Sequence, residues 1–243
     1  MARISLGNPN TLSLKKFLFF LSIIVFYGLT SINAQTIGGW HGLVTIPNAE
    51  VGNDSELTIG ISRMNHNYLT YKSEYEPLIY YVSFVYLPNF ELSIRFTKRI
   101  GEPDGLGDRM FSLRYRIVSE NDLLPFILLG THDFYHSTDS LTNRFHSTYI
   151  VCTKNISVIS NVLQTSFTLG YGAKLFNAHS YEFVGLFGGV SIEFFRIINL
   201  MNEYDGKRFN GGVRIKLFNN ISILGGFLNY QHFSGGASFN FQL

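Results

Sequence analysis

From about residue 57 onward, apolar side chains recur at every second position. Phe90, Leu92, Ile94 and Phe96 alternate with Glu91, Ser93, Arg95 and Thr97. Phe111, Leu113, Tyr115 and Ile117 alternate with Ser112, Arg114 and Arg116. Phe209, Val213, Ile215 and Leu217 stand opposite Asn210, Gly212, Arg214 and Lys216, and Ala237, Phe239, Phe241 and Leu243 opposite Ser238, Asn240 and Gln242. The same rhythm runs through 163–171 and 184–193, and more faintly through 57–65, 78–87, 124–133, 145–154, 196–205 and 221–230. A period of two is the signature of strands with one apolar and one polar face. The pattern predicts twelve strands of about ten residues, long enough to cross a bilayer when tilted by about 45°.

The connections between these segments alternate in length. Residues 66–77, 99–108, 134–144 and 173–182 are long; 88–89, 119–123 and 194–195 are short; 155–161 is intermediate, and the last three hairpins are all short. Outer-membrane barrels have tight periplasmic turns and longer outer loops. A secreted β-sandwich would show no such parity, and a soluble lipocalin-like barrel would be apolar inside and polar outside. The expected fold class is therefore all-β, a transmembrane antiparallel β-barrel of about 12 strands, with both termini in the periplasm. The alternation puts Leu92, Ile94, Leu113 and Leu217 on lipid, and arginine at Ser93 or Ser112 should then be much better tolerated than at those sites. The final strand, with Phe239, Phe241 and Leu243, resembles the terminal signature read by barrel-assembly machinery.

The first 34 residues read differently. Lys15 and Lys16 precede an apolar run from Phe17 to Tyr27, and Ser31-Ile32-Asn33-Ala34-Gln35 offers a cleavage point after Ala34. This is the layout of a secretory signal peptide, with an apolar run too short for a spanning helix. The expected organisation is a signal peptide at 1–34, a periplasmic leader at 35–54 and a barrel at 55–243, located in the cell outer membrane. The leader contains Trp40 and Ile46, so an unstructured leader and one tucked against the lumen are both open.

Composition narrows the class further. The chain has 243 residues, 15% charged and 16% aromatic, with Phe 23, Tyr 14 and Gly 23. Charge is scarcer than in soluble domains, where about 25% is usual, which fits an outer face that meets lipid. A single cysteine excludes a disulfide framework or a cysteine-rich metal site. Removing the signal peptide takes away Arg3, Lys15 and Lys16 and no acid, leaving 16 basic against 17 acidic residues. Such a near-neutral chain gives no reason to expect nucleic acid.

No catalytic motif is present, and no cofactor or metal site is expected. The adjacent steps His136-Ser137 and His146-Ser147 are the nearest approach to a hydrolytic pair, but neighbours on one strand point to opposite faces. The charged residues on the polar face are the candidate binding residues. They are Arg95, Arg114, Arg116, Arg214 and Lys216 against Glu203 and Asp205, with Glu91, Asp133 and Glu193 as further acids. Arg95, Arg114 and Arg116 fall on neighbouring strands as a possible basic ladder. Glu203 and Asp205 are expected to hold a charge network with these cations or, lying near a tight hairpin, to reach Asn210 or the far wall, rather than to work as a catalytic pair. The two sets either pair across a narrow lumen or form a polar conduit for an anionic polysaccharide. Tyr80 or Tyr81, Tyr149, Tyr171 and Tyr204 are candidate interfacial aromatics or sugar-stacking platforms.

Several stretches resemble a known family. Gly42-Leu43-Val44-Thr45-Ile46-Pro47-Asn48-Ala49 is similar to the opening G-L-x-x-x-P-x-A motif of the YjbH-like outer-membrane proteins. Asp108 to Ile117 with Ser119-Glu120 and Pro125, Gly130 to Phe134, Ser147 to Lys154, and Glu203-Tyr204-Asp205 with Asn210 and Gly212 resemble further motifs of that family, in the same order. The resemblance implies a β-barrel tied to exopolysaccharide production or secretion. Expected partners are outer-membrane lipids, the barrel-assembly machinery, and polysaccharide or other secretion-system proteins. A passive porin or structural barrel is the alternative, and an outer-membrane lipid hydrolase is a third reading.

Overall fold

The computed structural model describes residues 35–68, 75–101, 107–134, 146–175, 181–218 and 220–243. The expected signal peptide, His136 and His179 lie outside the described residues. The described chain forms β1 (Glu56–Arg63), β2 (Pro77–Leu87), β3 (Phe90–Arg99), β4 (Asp108–Val118), β5 (Phe126–His132), β6 (Ser147–Ile159), β7 (Leu163–Ala173), β8 (Gly185–Phe194), β9 (Ile198–Tyr204), β10 (Phe209–Leu217), β11 (Ile221–Leu228) and β12 (His232–Gln242). Each strand pairs antiparallel with its neighbours in sequence, and β1 closes on β12 in a continuous register from Glu56↔Gln242 to Arg63↔Gly235. Closure leaves no open sheet edge.

The alternation sorts cleanly in three dimensions. Ile59, Val82, Ile94, Leu129, Leu169, Leu200, Ile215 and Phe239 are exposed on the outer wall. Between them, Thr58, Ser83, Ser93, Ser112, Thr153, Ser191, Asn210 and Ser238 are buried on the inner wall. A closed sheet that is apolar outside and polar inside is the inverse of a soluble barrel, and its continuous ladder pairs the strands all the way round, as a bilayer demands. No helix among the described residues is long and apolar enough to cross a membrane; the strands do so.

At one end of the barrel every described connection between neighbouring strands is short. Asn89 (φ 72) and Asn161 (φ 60) take left-handed conformations there, which asparagine tolerates better than most residues. Phe195 and Arg196 (φ 51 and 58) make a consecutive left-handed pair, the twist that a tight hairpin needs. Register shifts at Val85/Leu87, Arg116/Val118 and Ser157/Ile159 fall at this same end, where bulges help strands turn into a rim.

Of the two arrangements open for residues 35–54, the structure shows the one tucked against the lumen. Every residue from Gln35 to Ala49 is buried, and the segment is folded into the lumen as a plug. Its own hydrogen bonds tie it into a compact knot: Thr36 N–H to Trp40 O (2.7 Å), Ile37 N–H to Val44 O (2.9 Å), Leu43 N–H to Ile46 O (3.0 Å) and Asn48 N–H to His41 O (3.3 Å). Gly42 is needed at the crossing, because a Cβ there would lie 2.1 Å from the Ile46 carbonyl oxygen.

Candidate functional site

The inner wall holds the plug through two clasps. One is built by β9 and β10. Arg214 Nη2 donates to three plug carbonyls, Gln35 O (3.0 Å), Gly42 O (3.0 Å) and Leu43 O (2.7 Å). On the neighbouring strand the Glu203 carboxylate accepts the N–H groups of Val44 (2.8 Å) and Thr45 (2.9 Å) and the Thr45 hydroxyl (2.5 Å). Asn210, opposite Glu203 in the ladder, donates to it as well (3.0 Å). A turn exposes carbonyls on one side and N–H groups on the other. Arg214 and Glu203 satisfy one side each, and bonds to charged groups are the strong kind.

Glycines make room for this grip. A Cβ at Gly212 would lie 2.7 Å from Val44, one at Gly226 2.8 Å from Val44, and one at Gly189 2.6 Å from Leu43. A strand glycine often marks close approach of another backbone, and here three strands share that role.

The second clasp is built by β3 and β4. Arg114 pairs with Glu91 and donates to the plug carbonyls of Asn48 and Glu50. Glu91 also meets His41 Nδ1 of the plug at 2.8 Å and accepts from Ser83 Oγ at 2.8 Å. Between the clasps, Trp40 stacks on His132 with ring centroids 4.0 Å apart. The Arg95 guanidinium lies 5.7 Å from the Trp40 ring. Thr153 on β6 accepts Ala49 N–H at 2.9 Å, and Ser62 on β1 donates to Ile37 O at 2.6 Å.

Several sequence expectations need correction. Arg95, Arg114 and Arg116 share the inner wall but form no ladder. Arg116 donates to the Asn89 side chain, Arg114 to Glu91 and the plug, and Arg95 faces Trp40. Glu203 and Asp205 do not pair with Arg214 or Lys216. Glu203 binds plug N–H groups. Asp205 lies just past β9, where it accepts Lys207 N–H (2.8 Å), Arg208 N–H (2.7 Å) and the Tyr68 hydroxyl. Lys216 pairs instead with Glu193 at 2.6 Å. Arg214 and Glu203 meet the plug rather than each other because the plug occupies the space between them.

Tyr81 and Tyr149 are buried in the lumen rather than at an interface, whereas Tyr80 and Tyr171 are exposed on the outer wall. Ser112 and Ser147 flank His132 in register. Neither hydroxyl has a hydrogen-bond partner among the described residues, and neither has either His132 ring nitrogen.

The plug itself is what sequence reasoning left undecided. Its signal lay in two motifs far apart in the chain. Gly42 to Ala49 is the plug turn, and Glu203, Asn210 and Gly212 are its grip. A family model described as "Exopolysaccharide biosynthesis protein YbjH" matches residues 35–222, so the match begins at the plug and takes in both clasps. A search of curated proteins found no match. Among solved structures, the chain is similar to one titled "KdgM porin" (TM-score 0.48, 15% identity, 76% of this chain and 99% of that one). It is also similar to the outer membrane protein Omp33 of Acinetobacter baumannii (TM-score 0.45, 7% identity, 79% of this chain and 100% of that one).

Proposed function

Because this chain belongs to the YjbH family of exopolysaccharide biosynthesis proteins, we infer that it serves as a plugged outer-membrane barrel. In this reading it assists the production or secretion of an exopolysaccharide without catalysing a reaction. The observation that carries the reading is the double clasp. A passive pore needs an open lumen, whereas this one spends its buried charges, Arg214, Glu203 and Arg114, on holding a segment of its own chain. The apolar outer wall supports a bilayer setting with lipid as the surrounding partner. The tight-turn end then faces the periplasm, where secretion-system proteins would reach it, and the barrel-assembly machinery would insert it.

Two measurements test this. In planar bilayers the purified protein is expected to give no steady conductance, while deletion of residues 35–49 opens one. A strain lacking the protein is expected to make or release less exopolysaccharide. Steady conductance by the intact protein, with unchanged polysaccharide in the deletion strain, would favour the passive porin instead.

A further inference from the structure

The first residue of the plug sits where a charged chain end would be out of place. Gln35 is 2% exposed and meets His41 across the plug in a single antiparallel bridge. Arg214 Nη2 donates to Gln35 O at 3.0 Å, so the main-chain nitrogen of the same residue lies within roughly 7 Å of that guanidinium. The layout of residues 1–34 predicts cleavage after Ala34, which makes this nitrogen the α-amine of the exported chain. A free α-amine is largely protonated at neutral pH. Here it would be a buried cation close to another buried cation, which is costly for both. The two carboxylates that hold the plug are already engaged. Glu203 accepts from Val44 and Thr45, and Glu91 is shared by Arg114, His41 and Ser83.

The side chain of Gln35 can remove that charge. Its Oε1 is buried and has no hydrogen-bond partner among the described residues. Its Nε2 stands 3.5 Å from both ring nitrogens of His41, aimed at neither lone pair and at the outer limit of hydrogen bonding. Little is lost if this amide folds back onto its own main-chain nitrogen.

We propose that the exported chain begins at Gln35 and that this residue is closed to pyroglutamate, so that the plug enters the lumen with an uncharged end. The α-amine nitrogen attacks the side-chain Cδ. The new N–Cδ bond closes the lactam, the Cδ–Nε2 bond breaks, and Nε2 takes up the proton that the amine gives up and leaves as ammonia. No oxidant, reductant or second substrate is needed. The ring keeps one N–H and one carbonyl oxygen where the open residue carries an ammonium and a carboxamide. Closure precedes docking, because Gln35 is shut off from solvent once the barrel has formed around it. The proposal goes beyond the exopolysaccharide reading and does not depend on it.

The test begins with the protein purified from the outer membrane of the strain that makes it. Its free amines are dimethylated in the unfolded state before digestion, so that a ring formed during handling is not counted, and the N-terminal peptide is read by mass spectrometry. The expected peptide begins at Gln35, carries no methyl groups on its α-nitrogen and weighs one ammonia less than the encoded sequence. A dimethylated Gln35 in most of the protein, or a chain that begins at another residue, would overturn the proposal. Gln35→Asn keeps an amide but, one methylene shorter, does not close the ring. Its amine is expected to stay free, and in planar bilayers its lumen should open roughly tenfold more often than the parent's, the effect of one unit of pKa displacement. An asparagine variant with a free amine and a lumen as quiet as the parent's would overturn the role given to the ring. The mass of the parent chain decides the modification even if that variant fails to fold.

Discussion

Arg114 and Arg214 are both fully buried on the inner wall, and both donate to main-chain carbonyls of the plug, yet only Arg114 has a carboxylate beside it. Glu91 sits between Arg114 and His41, so the β3–β4 clasp is a charged cluster that happens to reach the plug. Arg214 has no carboxylate within ion-pairing distance among the described residues. Its charge, like that of Glu203, is met by backbone dipoles of the 42–46 turn. The difference teaches how each clasp should fail. The first loses its balance when one charge is removed, whether or not the plug moves. The second depends on the plug being present, and so doubles as a sensor of whether it is.

The largest effect should come from Glu91→Gln. It leaves Arg114 and His41 buried without their shared carboxylate, and breaking a buried pair in this way costs about 3–5 kcal/mol. The melting midpoint, read from the gel mobility of unheated and heated samples, should fall steeply. Adding Arg114→Met should restore part of the loss. If the double variant is worse than the single, the cluster is not governed by charge balance.

Next in size is a pair of neighbours beside that clasp. Ile94→Arg on the outer wall should cost about 2–4 kcal/mol near the bilayer midplane. The alternation alone makes Ser93→Arg the much milder change, but Ser93 is 4% exposed in an occupied interior. Overpacking costs about 1–3 kcal/mol, so its folding yield should fall nearly as far. Full yield for Ser93→Arg would mean that the plug gives way easily on this side.

Arg214→Met tests the other clasp. Unpairing buried carbonyls costs about 1–3 kcal/mol, but here the turn can swing away and find water. The expected result is a barrel that still resists unfolding, with red-shifted Trp40 emission and new conductance. A large fall in barrel stability with the plug still seated would erase the distinction between the clasps.

The smallest effect belongs to Lys216→Met. Lys216 pairs with Glu193 and makes no hydrogen bond to the plug; the side chains are 8% and 17% exposed, so Glu193 left alone can still take up water. The loss should lie a little above the 0–1 kcal/mol of an exposed pair, about 1 kcal/mol, and conductance should stay closed.

The barrel itself was legible because period two is a local signal. Phe90 to Thr97 declares its two faces without reference to any other strand, and all twelve segments did so well enough to be counted. The hairpins were read by length rather than by turn chemistry, since Phe195-Arg196 carries none of the glycine or asparagine that usually marks a left-handed pair. The candidate lumen residues were found for the same local reason, that they stand opposite apolar neighbours. Their partners were not found. Pairing Glu203 with Arg214 was reasonable on the assumption that the space between them was empty, and nothing local to either residue says otherwise.

What the sequence determined by itself was therefore the alternation, the strand count and which residues face inward, because each follows from side-chain spacing along a pleated chain. What only the tertiary structure decided was what those inward residues touch. Residues 35–49 contain no periodic pattern. They become ordered because backbone groups of the 42–46 turn meet Arg214 and Glu203, about 160 to 180 residues away in sequence, and because Gly189, Gly212 and Gly226 leave the volume that Leu43 and Val44 fill. Contacts between main chain and distant side chains leave no period in a sequence, so they exist only once the barrel has closed around them.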